Sequence, residues 1–276
     1  MLEFNRPSKM DNFAISNLAF KNYPINEALT FLSQSQVGGL EIAPTLVWNT
    51  REFTTTNERE EFKNLISNHG LSIIALQSLL YGKPELQLFG DARAQESLMK
   101  HLKEMINLCR ILGGQSLSFG SPTNRIKGNL DFQEAISRAA LFFFNLAEYA
   151  KTQDILICFE PVSSEYKCYF INNTTEAIEL IESVGHSHFK LLLDVGNLIQ
   201  NNENCESIIR NNISHISHIH INDLNLLPPS SKMQEHLIVS NTLNSLGYSG
   251  WLTLEFLSYH TTFEKDVAEG IQCYQS

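Results

Sequence analysis

Residues 155–194 read ILICFEPVSSEYKCYFINNTTEAIELIESVGHSHFKLLLD. ILICFE and FKLLLD are short, nearly continuous apolar runs, too short for helices and bounded by polar or glycine punctuation. Between them, Asn173-Thr174-Thr175 supply a helix start and Gly185 a stop. A strand, a helix and a second strand in sequence demand a crossover, which makes the two strands parallel. Apolar character without strict alternation is what a strand covered on both faces shows.

Working outward, the same unit recurs along the chain. β-rich runs fall at 12–18, 38–43, 72–78, 115–119, 155–160, 189–194, 216–221 and 251–256. The clearest helix covers 91–112, with an apolar stripe through Leu98, Leu102, Met105, Ile106 and Leu108 that stops at Gly113-Gly114. Another starts at Asp131, with Glu134 as capping-box partner, and runs through Ala135, Ala139, Leu146 and Ala150. Helices are also predicted over 57–68, before Gly70, and over 203–211, the shortest. Eight strand–helix units in 276 residues fit an α/β fold, a single (β/α)8 TIM barrel, better than an open doubly wound sheet. No G-x-G-x-x-G follows the first strand, which weighs against a dinucleotide fold. No linker or low-complexity segment interrupts the pattern, so residues 1–276 are expected to form one domain.

Composition narrows the function classes. A chain that is 43% hydrophobic holds enough apolar material for one large core, and barrels run to ~250 residues as single units. The net charge of -10 repels phosphate backbones and anionic membranes, so neither nucleic acid nor a membrane is an expected partner. No apolar stretch approaches the ~18 residues of a membrane span, and no secretory signal is visible at the N-terminus. The five cysteines are odd in number, widely spaced and form no CxxC pair, which fits a reducing cytoplasm better than a disulfide framework.

In such barrels, chemistry sits where the strands end. The fifth strand ends at Glu160, the sixth at Asp194, the seventh at His220 followed by Asn222 and Asp223, and the eighth at Glu255. Each alone has a plain structural explanation, a helix cap or a bonded core histidine. Together, three carboxylates and an imidazole at one mouth would repel one another and resist desolvation unless a cation neutralised them. That donor set, without thiolates, suits Mn²⁺, Mg²⁺ or Co²⁺ rather than a structural zinc.

The chain resembles the xylose isomerase-like barrel superfamily, which holds sugar isomerases, ketose 3-epimerases and the apurinic endonuclease IV group. The resemblance runs through AISNLAF, GLEIAPT, LQSLLYG, FGSPTNR, FEP, LDVGN, HIHIND and GYSGWLTLEF, one motif per strand and in order. It implies a carbohydrate-directed, metal-dependent isomerase or epimerase with one divalent ion (Mn, Co, Mg or Zn) on Glu160, Asp194, His220 and Glu255. It further implies that Glu160 and Glu255 exchange a proton with the sugar through a cis-enediolate. Two positions depart from the epimerase pattern: Asn197 stands where histidine is common, and Leu226 where a substrate-gripping arginine is expected. Both point away from a free ketohexose.

Position nominates Glu41, Gln77, Arg125, Asn197 and Asn222 as substrate contacts. Arg125 could pair a phosphate or carboxylate bidentately, with a surface ion pair as the alternative. For Glu41 the alternative is a salt bridge inside the barrel. Asn222 and Asp223 are candidates for orienting His220, with loop capping as the alternative. A sugar-acid dehydratase or lyase on the same metal site, an abasic-site endonuclease and a non-catalytic sugar-binding barrel stay open from sequence alone. The apolar run 141–144 cannot all face one barrel, so a homodimer is an expectation, with packing under a loop as its alternative.

Overall fold

The structure is a computed structural model that describes residues 12–48, 55–259 and 261–275. Its eight strands are β1 (Phe13–Ser16), β2 (Val37–Ile42), β3 (Ser72–Leu76), β4 (Ser116–Phe119), β5 (Leu156–Phe159), β6 (Phe189–Asp194), β7 (Ile216–Ile221) and β8 (Leu252–Leu254). They close into a barrel in sequence order, with β1 paired in parallel to both β2 and β8. Every strand lies within or beside a run expected from sequence. The helices are α1 (Ile25–Ser33), α2 (Pro44–Trp48), α3 (Thr56–Asn68), α4 (Ala92–Leu112), α5 (Phe132–Thr152), α6 (Thr174–Val184), α7 (Val195–Gln200), α8 (Cys205–Asn212), α9 (Met233–Ser245) and α10 (Phe263–Gln275).

Side-chain caps set the helix starts. Asp91, Asp131, Asn173 and Asn204 each accept from the backbone N–H three residues on, at 2.8–3.0 Å. The expected capping box at Asp131 is half made, because the Glu134 carboxylate pairs with Arg138 instead of turning back. A complete box occurs at Thr55 and Glu58, which starts α3 slightly before the expected position. Gly113 and Gly185 end α4 and α6 in the left-handed region, at φ 95° and 59°.

The chain divides into two compact units, and two of the boundaries fall inside strands, between Ile74 and Ala75 in β3 and between Leu192 and Leu193 in β6. The unit containing residues 75–192 is cored by aromatic rings. Phe143 of α5 is fully buried, with ring centroids 5.1 Å from Phe119, 5.5 Å from Phe159 and 4.9 Å from Phe189. These contacts fix strand parity: Phe119 and Phe159 face the helices, so Ser118, Cys158 and Glu160 face the opposite way. In the other unit Phe263 of α10 packs against Phe20, Tyr23 and Phe31. Of the run 141–144, Phe142 and Phe143 are buried while Leu141 and Phe144 are exposed, the latter edge-on to His186. All five cysteines are free and buried, and no described helix is long and apolar enough to cross a membrane.

Candidate metal centre

Residues His218 and His220 stand two apart on β7, hence on one face of the strand, with ring centroids 5.1 Å apart. Both bond to one oxygen of Glu41 on β2: His218 Nε2 donates to Glu41 Oε2 at 2.8 Å and His220 Nε2 donates to it at 3.0 Å. All three are buried, and Thr253 Oγ1 lies 3.2 Å from His218 Nε2. Burial opposes ionisation of Glu41, but the two imidazoles outweigh it and hold its pKa well below the ordinary carboxylate range. An ionised carboxylate only accepts, so the Nε2 of each histidine carries the proton.

That tautomer leaves Nδ1 of His220 as the free nitrogen. It is buried, 2.8 Å from Glu255 Oε2 and 4.0 Å from Asp194 Oδ2, yet no group is aligned to hydrogen-bond with it. Burial alone would lower the His220 pKa; the Glu255 and Glu41 carboxylates prevail and push it well above the usual imidazole value. A proton or a cation must therefore sit between this nitrogen and the carboxylates.

Asp194 uses both its oxygens. Oδ1 accepts from the Asn197 backbone N–H at 2.7 Å, capping α7, and Oδ2 accepts from Asn222 Nδ2 at 2.7 Å. The helix-cap explanation thus holds for Asp194. Burial and the charge of Glu255 raise the Asp194 pKa to about 6, against the pull of His220 and the two hydrogen bonds. Gly196 keeps this corner open, since a Cβ there would fall 2.0 Å from Asn222 Oδ1. Glu160 follows β5, which is paired in register with β6, and Gly120 leaves its carboxylate room that a Cβ would fill. Asp194, His220 and Glu255, all in one unit, each offer a ligand atom, and these atoms lie within 4.8 Å of one another. The donor set fits a divalent cation, and the orphaned Nδ1 is the atom that most needs one.

The remaining candidates fall elsewhere. Asn222 orients Asp194 rather than His220; the partner of His220 is Glu41. Asp223 accepts from Ser230 N, Ser231 N and Ser231 Oγ and binds His236 Nε2 at 2.8 Å, and His236 Nδ1 meets Tyr274 Oη at 2.8 Å, which ties the loop after β7 to α9 and α10. Gln77 and Asn197 are buried just past β3 and in α7. Arg125 is fully buried rather than on the surface. His218 is not among the candidates read from sequence; the signal that points to it is the strand period, which places it beside His220.

Because Glu41 fixes the His220 tautomer, Glu41→Gln is expected to weaken divalent-metal affinity by about 10–100-fold while the chain stays folded, as loss of such outer partners does. Competition titration against a chelating dye measures this; unchanged affinity would remove Glu41 from the centre.

A closed parallel barrel with carboxylates and an imidazole at its strand ends is a frame that serves many reactions rather than a single one. The model of the xylose isomerase-like TIM barrel family matches residues 31–276, and the chain belongs to that family. A D-psicose 3-epimerase of Enterocloster bolteae is 26% identical over 210 residues, which are 74% of this chain and 67% of the relative. Among solved structures, a D-psicose 3-epimerase with D-tagatose from Clostridium cellulolyticum H10 superposes with TM-score 0.79 at 13% identity, covering 96% of this chain and 98% of that one. A 3-keto-D-glucoside 4-epimerase from E. coli in its apo form gives TM-score 0.79 at 16% identity, with 95% and 100% covered.

Proposed function

We propose that this chain is a single-domain enzyme acting on carbohydrates, a divalent-metal-dependent epimerase or isomerase whose metal ligands are Glu160, Asp194, His220 and Glu255. The orphaned Nδ1 of His220 among three carboxylates carries the reading, and the epimerase relatives give it a reaction class. A bound divalent cation supplies the positive charge that makes a carbon acid beside a carbonyl acidic enough for carboxylate chemistry. Glu255 and Glu160 remove and return the proton at the reacting carbon. Asp194 and His220 hold their positions, steadied by Asn222 and by Glu41. Burial of His220, Asp194 and Glu255 limits water at the centre.

The test is elemental analysis of the purified protein beside Asp194→Asn, followed by incorporation of solvent deuterium into a sugar panel that includes D-psicose. About one divalent metal per chain, depleted in the variant, together with exchange into a sugar, is the expected result. A chain that retains no divalent metal after re-addition would end the proposal.

Metal affinity should also depend on pH in a stated direction. Without a cation, Asp194 holds its proton below about 6 and His220 holds one well above the ordinary imidazole range. Metal must displace these protons, so affinity falls as pH drops, about tenfold per unit for each proton displaced. Chelator competition across pH 5 to 8 reads the slope.

A further inference from the structure

Arg125 has no oxygen or nitrogen acceptor among the described residues, and only the weakly accepting Cys168 sulfur is near it. Its side chain is fully buried, and Nε, Nη1 and Nη2 all lack a hydrogen-bond partner. The position is nonetheless built with care. The preceding Asn124 donates from Nδ2 to the carbonyls of Lys83 (2.8 Å) and Leu86 (2.7 Å), and its own carbonyl accepts from Leu88 N at 2.8 Å. Ser121, at φ 40°, turns the chain into this anchor. The guanidinium carbon lies 4.7 Å from the centroid of Phe159, a ring itself held by Phe119, Phe143 and Phe189. The guanidinium thus lies over an aromatic ring, while its N–H groups meet no oxygen or nitrogen acceptor.

Neighbouring groups do not supply the missing partner. Burial lowers the Arg125 pKa against the influence of Cys168, Glu160 and Glu176. The Cys168 thiol donates to the Phe170 carbonyl at 3.2 Å, which leaves only a weak sulfur acceptor. Glu176 Oε2 accepts from Asn172 N at 2.6 Å. A buried charge persists in a native protein when something pairs with it.

We propose that Arg125 binds an oxyanion, a carboxylate or phosphate group carried by the substrate, over the Phe159 ring. This deepens the epimerase reading and rests on it: the substrate is a sugar acid or a sugar phosphate rather than a neutral sugar. The planar fork of arginine matches two oxygens of either group, and the Phe159 ring backs it at 4.7 Å. The anion enters by displacing the connection between β5 and α6. That segment is strained: Lys167 and the β-branched Ile171 both occupy the left-handed region, at φ 59° and 61°, so opening it releases strain.

The experiment is calorimetric titration of the purified protein, Arg125→Lys and Arg125→Met with sodium phosphate and with sodium acetate, D-fructose serving as neutral control. One anion per chain is expected to bind the natural protein, about tenfold or more weaker in Arg125→Lys and not measurably in Arg125→Met. In anion-free buffer Arg125→Met should melt no lower than the natural protein, because it removes an unpaired buried charge. Preference for phosphate or for acetate separates the two substrate classes. Equal binding by Arg125→Met, or no binding by the natural protein, overturns the proposal, as does a lower melting point with no response to anions. If Arg125→Met does not fold, the comparison with Arg125→Lys decides. A metal-loaded protein that turns over a neutral sugar without an anion effect defeats the oxyanion site alone. A metal-free protein that binds phosphate through Arg125 defeats the epimerase reading and leaves the site.

Discussion

Glu255→Gln and Glu160→Gln are each expected to lower turnover by at least about 10²–10⁴-fold, the range in which a positioned acid or base acts, without unfolding the chain. Glutamine keeps the shape and one oxygen of glutamate but can neither take nor release the proton. Glu255 is the more exposed to this argument, because its Oε2 lies 2.8 Å from His220 Nδ1 in a buried site. There the amide would also remove the charge that holds His220 protonated when no cation is bound. Steady-state rates, metal content and thermal melts on both variants separate the outcomes. A slow, metal-loaded, folded variant supports proton transfer. Loss of metal in step with activity would make the residue a ligand only. Full activity in both variants would exclude them from the reaction.

The second large effect is on stability. Phe143→Ala should cost about 3–5 kcal/mol, the range for emptying a fully buried aromatic site. Phe143 is wholly buried, and its ring meets Phe119, Phe142, Phe159 and Phe189 at centroid distances of 4.9–5.5 Å. The cavity would lie between α5 and strands β4, β5 and β6, where backbone hydrogen bonds prevent the walls from closing on it. Urea unfolding followed by circular dichroism reads the change as a lower midpoint at constant slope. The neighbouring Leu141→Ala, at a position 67% exposed, serves as the control and should change stability by less than about 0.5 kcal/mol.

The fold was legible because a barrel is written in local patterns. Strand cores such as ILICF and KLLLD, helix caps at Asp91, Asp131 and Asn173, and stop glycines at 113 and 185 each act within a few residues. Their errors were local too. The acceptor of Glu134 is Arg138, one turn on, a competition that the capping-box pattern cannot arbitrate. Short α2 and α7 escaped because they are under two turns, too brief for a period to show.

The amino-acid sequence by itself determined that parallel strands would carry Glu160, Asp194, His220 and Glu255 at or just past their C-terminal ends, because strand period and the barrel's one-way topology decide which end carries them. Only the tertiary structure decided what each polar group does. Glu41 and His220 are 179 residues apart, and their 3.0 Å hydrogen bond, which selects the imidazole tautomer, exists only once the sheet brings β2 and β7 inward. Asn222 serves Asp194 instead of His220 for the same reason. Arg125 reads in sequence as a loop cation, yet the fold buries it without an oxygen or nitrogen acceptor against Phe159. Hydrogen bonds reach about 3 Å and follow spatial neighbours, whereas sequence patterns record only chain neighbours.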